Sequence, residues 1–123
     1  MPYNILVVDD NDLNLVLLAK ILELEGYQVT IAHNGLEAIQ SAEQKLPDLA
    51  LLDVMMPEMN GYELCKMMRK PPLSMEIPIV MLTAMSSESE RVQALDAGAN
   101  DIWSKPFDMQ VFRRRIGELL RKE

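Results

Sequence analysis

ILVVDDND, residues 5–12, sets four apolar, strand-like residues directly before two adjacent acids, Asp9 and Asp10. The same construction recurs three times. LALLD (49–53) ends in Asp53, PIVMLT (78–83) ends in Thr83, and DIWSK (101–105) ends in Lys105. Short apolar runs that alternate with helix-like segments are the pattern of an α/β fold with a doubly wound parallel sheet. In such a sheet the carboxyl ends of the strands line up along one edge, and that edge is where the fold binds and reacts. Asp9, Asp10, Asp53, Thr83 and Lys105 are therefore expected to meet there, although they lie far apart in the chain.

Working outward, strand and helix patterns alternate five times. The first strand is expected over Tyr3 to Val8, and a helix over Asp12 to Glu25 that Gly26 stops. YQVTIA (27–32) reads as the second strand, after which Asn34 caps a helix with Glu37 as its capping-box partner. The third strand covers Asp48 to Leu52, and a helix from about Gly61 ends before Pro71-Pro72. Ile77 to Leu82 form the fourth strand. Ser87 and Glu90 supply a second capping box, for a helix that Gly98 closes. A strand through Ile102 and Trp103 follows, and Asp108 caps a terminal helix reaching Arg121. The third and fourth strands are apolar throughout, as strands covered on both faces must be. No repeat or low-complexity tract interrupts the pattern, so residues 1–123 read as a single domain.

The totals agree. A chain of 123 residues holds one core. Its 49% hydrophobic and 25% charged residues describe a soluble globular protein. No stretch approaches the roughly 20 apolar residues of a membrane span, and the first residues lack the basic start of a secretory signal. Cys65 has no second cysteine to pair with, which suits a cytoplasmic location. In YELCKMM it reads as a small helical core residue, since a nucleophile would need a base nearby. The net charge of −7 opposes direct binding to nucleic acid. The basic residues nonetheless cluster: Arg113, Arg114, Arg115, Arg121 and Lys122 are five of the 12. They fit either a solvated helix end or a surface that faces a partner.

Electrostatics narrows the chemistry of the edge. Two like charges about 4 Å apart at an effective dielectric near 20 repel by roughly 4 kcal/mol. Three carboxylates in one pocket therefore call for a cation or a trapped proton. Mg²⁺ suits an oxygen-only donor set that leaves room for phosphate oxygens. DDND after a strand is also good turn and cap chemistry, and Thr83 or Lys105 alone is an ordinary loop-end residue. Together they form a set for phosphoryl transfer, which needs positioning and charge neutralisation. Asp53 would attack phosphorus, Lys105 and the cation would offset charge, and Thr83 would donate a hydrogen bond. Ala84 leaves room for the phosphoryl group and offers its backbone N–H.

ILVVDDND (5–12), LLDVMMPEMNGYEL (51–64), IVMLTA (79–84) and AGANDIWSKPF (97–107) together resemble the receiver domain of two-component response regulators, over essentially the whole chain. The resemblance implies a chemotaxis-receiver-like, flavodoxin-like fold: five parallel strands in the order 2-1-3-4-5, flanked by five helices. It implies that Asp53 takes a phosphoryl group from a phosphohistidine of a sensor histidine kinase or histidine phosphotransfer protein. Asp10, Asp53 and the carbonyl of Met55 would ligate Mg²⁺ directly, and Asp9 through a water. A cis peptide between Lys105 and Pro106 is implied too. Such a domain catalyses only its own phosphorylation and dephosphorylation.

The resemblance also exposes a departure. Receivers usually place Tyr or Phe three positions before the lysine, and its ring turns inward as the threonine moves. Here that position is Ile102, and strand alternation aims the neighbouring Trp103 at the other face. The conformational change is expected to be weaker or differently transmitted. Met55 and Met85, two positions after Asp53 and Thr83, are apolar where receivers control water access; they would lengthen the phosphorylated lifetime, or simply fill space.

Two surfaces invite partners. On the first helix Leu17, Ile21 and Leu24 are expected to share a core face, while Leu15, Leu18 and Leu22 extend round one side. They could pack on the last helix, and the resemblance implies that with Pro106-Phe107 they dock the kinase; a mixed role is expected. The terminal helix resembles that of receivers that dimerise through their fourth and fifth helices, with an Asp101–Arg115 pair between copies. His33 reads as an exposed loop residue. Among other functions, a phosphatase of the haloacid dehalogenase type would use Asp10-Asn11-Asp12, but the chain has no room for a cap and Asp53 lacks the second aspartate. An FMN-binding module would meet repulsion between DDND and the FMN phosphate. An interaction module that works unphosphorylated is the third reading.

Overall fold

The computed structural model describes residues 2–121. Lys122, the last member of the basic cluster, lies outside the described residues. Five strands alternate with five helices: β1 (Asn4–Val8), α1 (Asp12–Leu24), β2 (Gln28–Ala32), α2 (Gly35–Gln44), β3 (Leu49–Asp53), α3 (Gly61–Arg69), β4 (Ile79–Thr83), α4 (Glu88–Ala97), β5 (Asp101–Ser104) and α5 (Met109–Arg121). The strands form one parallel sheet in the order β2-β1-β3-β4-β5, as expected. β3 and β4 extend to include Asp53 and Thr83 themselves, so both site residues sit on regular strand backbone.

Alternation along the strands sorts the core into two layers. Ile5, Val7, Leu49, Leu51, Val80, Leu82 and Trp103 pack against α1 and α5 through Leu15, Leu18, Leu22, Phe112, Ile116 and Leu120. Leu6, Val8, Ala50, Leu52, Ile79, Met81 and Ile102 pack on the other side against α2, α3 and α4. Ile102 and Trp103 thus point to opposite faces. Every residue of β1, β3 and β4 is buried, whereas β2 at the edge is only partly covered.

The first helix corrects one expectation. Leu15, Leu18 and Leu22 are its buried stripe, while Leu17 and Leu24 are 53% and 70% exposed. Both triplets have helical spacing, and Leu13 and Val16 add further apolar residues outside the core. Hydropathy around this helix is too even to choose a face. The sheet and α5 choose, by offering Ile5, Val7 and the Phe112 ring to the 15/18/22 stripe. Leu15, Leu18 and Leu22 are therefore core residues packed toward α5, too covered to form the expected docking face.

Local signals set the helix ends. Asn11, Asn34 and Ser87 accept hydrogen bonds from the backbone N–H three residues on, and Asp108 does the same for Val111. Neither expected capping box closes. Glu37 accepts from the His33 backbone and lies 2.9 Å from its ring nitrogen, because the imidazole beside the cap competes for it. Glu90 is drawn to the Thr83 hydroxyl. The reciprocal box is found instead at Asn60 and Glu63, at the start of α3. Gly98 ends α4 at φ +102°, a left-handed conformation that favours glycine. No helix among the described residues is long and apolar enough to cross a membrane.

Candidate functional site

The register of the sheet assembles the site. Val8 pairs with Leu52, Asp53 with Leu82, and Thr83 with Ser104, so the residues at these strand ends are neighbours across three ladders. Backbone hydrogen bonds continue just past the strands: Val54 N–H donates to Leu82 O at 3.0 Å, and Lys105 N–H to Thr83 O at 2.7 Å. The Lys105–Pro106 peptide is cis, as the resemblance implied. Gly61 lets the loop after β3 close over Asp53. A Cβ there would sit 2.5 Å from the Asp53 carbonyl oxygen, and the Gly61 N–H donates to Val54 O.

Asp9, Asp10 and Asp53 do converge: each offers a carboxylate oxygen, and these oxygens lie within 4.8 Å of one another. Lys105 Nζ is 3.0 Å from Asp53 Oδ1 and 3.8 Å from Asp9 Oδ2. Asp9 is 2% exposed and is held by the Asn11 N–H at 2.9 Å and the Asn14 side-chain amide at 3.2 Å. Asp10 is exposed. Burial pushes the Asp53 carboxyl above the usual carboxylate range, the Lys105 hydrogen bond pulls it back, and the Asp9 charge raises it further.

Thr83 is buried at the end of β4. Its hydroxyl donates to Glu90 at 3.3 Å and accepts from the Met85 N–H at 3.2 Å. Ala84 beside it is exposed, and Met55 and Met85 present their side chains to solvent at 75% and 68%. Residue-by-residue reading missed two partners, Asn14 on Asp9 and Glu90 on Thr83. Asn14 lies one helical turn past Asp10, a spacing that points at the same corner, whereas Glu90 was hidden by its place in a helix cap.

Three acids against one ammonium leave a negative pocket built wholly of oxygen donors, which fits a hard divalent cation. Asp12 does not join it. Its carboxylate lies 3.1 Å from His33, so Asp10-Asn11-Asp12 does not act as a pair of converging acids. Cys65 is buried, and burial pushes its thiol up to about 11, far from a working nucleophile.

Fold and site together define a flavodoxin-like α/β domain with an acidic pocket at the carboxyl edge of its sheet. Residues 5–117 match the response regulator receiver domain family, and the chain belongs to it. It is a response regulator receiver domain of two-component systems. It is 40% identical over 121 residues to the response regulator PleD of Caulobacter vibrioides, covering 98% of this chain and 27% of that protein. It is 43% identical over 122 residues to the alkaline phosphatase synthesis transcriptional regulatory protein PhoP of Bacillus subtilis, covering 99% and 50%. The chain thus spans at most about half the length of these curated relatives. Among solved structures, a putative response regulator from Chloroflexus aurantiacus superposes with a TM-score of 0.91 at 39% identity, covering 99% of this chain and all of that one. The chemotaxis protein CheY4 of Vibrio cholerae gives 0.92 at 29% identity, with 98% of this chain and 100% of its own covered.

Proposed function

We propose that the domain accepts one phosphoryl group on Asp53 from a phosphohistidine of a histidine kinase or phosphotransfer protein, in a reaction that needs a divalent cation such as Mg²⁺. The observation that carries this is the Asp53 carboxylate at the end of β3, bonded to Lys105 at 3.0 Å and crowded by two further acids. An Asp53 oxygen forms the new bond to phosphorus while the phosphorus–nitrogen bond breaks, its electron pair returning to the imidazole. Asp10, Asp53 and the Met55 carbonyl would hold the cation, with Asp9 acting through a water. When bound, the cation neutralises charge on the phosphoryl oxygens. Lys105 offsets charge from the other side, and the Thr83 hydroxyl and Ala84 N–H donate hydrogen bonds to the transferred group. Catalysis of this kind is confined to the domain's own phosphorylation and its reversal by water, which Met55 and Met85 at the mouth would slow.

The donor docks on the groove between α1 and the loop after β5, lined by Leu17, Ile21, Lys105, Pro106 and Phe107 and about 230 Å³ in volume. Leu18 contributes to its lining, but the reachable apolar atoms on α1 are those of Leu17 and Ile21. The unpaired thiol of Cys65 fits a reducing compartment, and we assign the reaction to the cytoplasm. Homodimerisation through α4 and α5 finds less support in the side chains. Asp101 already binds Arg91 at 3.2 Å and the Trp103 indole at 3.0 Å, while Arg115 lies over the Trp103 ring. A pair between copies must displace these.

Intact mass spectrometry after incubation with acetyl phosphate and Mg²⁺ tests the reading. The expected result is one phosphoryl group per chain, not formed when a chelator is present from the start and absent from Asp53→Asn. Equal labelling of the asparagine variant overturns it, as does repeated turnover of a phosphoester.

A further inference from the structure

Three observations meet between α3 and α4. The Thr83 hydroxyl has a single proton, and it is given to Glu90 on the first turn of α4 at 3.3 Å, long for an O–H···O bond. The Tyr62 hydroxyl, at the start of α3, is shut off from solvent and has no hydrogen-bond partner among the described residues. Tyr62 packs on the same apolar layer as Ile102, the residue that stands where a switch aromatic is expected. α3 packs against α4, which sets Tyr62 and Glu90 on the first turns of adjoining helices; burial, and then the Glu90 charge, raise the Tyr62 phenol above its ordinary value.

Resting on the reading of Asp53 as phosphoacceptor, we propose that Glu90 is a two-position acceptor. It releases Thr83 when a phosphoryl group claims that hydroxyl, and it turns to Tyr62. The Thr83 proton cannot serve both acceptors. Once it points at a phosphoryl oxygen, the half-buried Glu90 carboxylate has lost a donor, and a buried phenol without an acceptor stands nearby. The exchange satisfies both groups and ties site occupancy to the packing of α3 against α4. Glu90 and Tyr62 are positioning residues, acting through Thr83. This chain would thereby transmit its state through the α3–α4 side, without a switch aromatic at position 102.

The test uses the full chain with tyrosine labelled by ¹³C at Cζ, titrated with Mg²⁺ and beryllofluoride, while ¹⁹F NMR reads site occupancy separately. Tyr62→Phe assigns the signal among the three tyrosines. The Tyr62 resonance is expected to shift on saturation in the wild type and to stay in place in Glu90→Leu. Beryllofluoride affinity should fall about fivefold in Tyr62→Phe, the worth of one net hydrogen bond, and should not fall further when the same change is made in Glu90→Leu. A stationary Tyr62 signal in a fully occupied wild-type protein overturns the proposal. So does an equal loss of affinity in both backgrounds. Failure of the wild type to bind beryllofluoride at all would instead overturn the Asp53 reading beneath it.

Discussion

Asp53 is only 6% exposed, next to a second buried acid, and a single lysine stands against the charge. Its carboxyl is held above the usual range, so the folded protein binds that proton more tightly than the unfolded chain does. The stability this represents is present below the ordinary carboxylate pKa and is lost as pH rises through the raised folded value. At neutral pH the ionised Asp53 therefore works against the metal-free fold. Asp53→Asn, which keeps an oxygen for Lys105, should melt at a higher temperature than wild type at pH 7 without cation. The difference should shrink as pH is lowered towards 4, and calorimetry over that range checks it. Mg²⁺ should raise the melting temperature of wild type more than that of the variant, since ligand binding to the native state adds stability by mass action.

At the scale of elements, Arg69 at the end of α3 joins parts that no sequence pattern connects. Its guanidinium donates to Gly98 O at 2.9 Å, Met75 O at 3.0 Å, Ile77 O at 2.7 Å and Asn100 Oδ1 at 3.0 Å. Asn100 in turn accepts the Ile79 N–H at 2.8 Å. One planar fork thus ties α3, the loop before β4, the end of α4 and the approach to β5. Removing it leaves several carbonyls short of a donor, so Arg69→Ala should cost about 2 kcal/mol in denaturant unfolding. Arg69→Lys should recover less than half of that, because a single ammonium cannot reproduce the fork. Equal stability of the lysine variant and wild type would show that charge alone suffices. The network stands at the end of the sheet opposite the acids, so phosphoryl labelling should survive both changes.

For the molecule as a whole, the proposed phosphoacceptor site and the proposed docking groove share one edge of the sheet and can be separated by mutation. Leu17→Asp places a charge on a side chain that is 53% exposed, outside the core stripe of α1. Labelling by acetyl phosphate should be unchanged, while transfer from a phosphohistidine donor protein that labels the wild type should slow at least about tenfold, the scale of a lost interface anchor. Leu15→Asp, by contrast, should unfold the domain. These two leucines mark where local pattern stops being informative. The strands and the gathering of Asp9, Asp10, Asp53, Thr83 and Lys105 at one edge were legible because each apolar run closes on one of these residues, and parallel strands must bring those ends together. The caps at Asn34, Ser87 and Asp108 were legible because a cap is a contact three residues long. The buried face of α1, the diversion of Glu90 to Thr83, the four-way role of Arg69 and the stranded hydroxyl of Tyr62 were not. Each depends on a partner distant in the chain, and its identity emerges only when two layers of helices close on the sheet. Sequence alone determined the order of elements and the residues at the carboxyl edge of the sheet, because both follow from local periodicity and strand polarity. Tertiary packing alone decided which stripe of α1 is covered and which donor each buried acid receives, since those outcomes are settled by competition among neighbours.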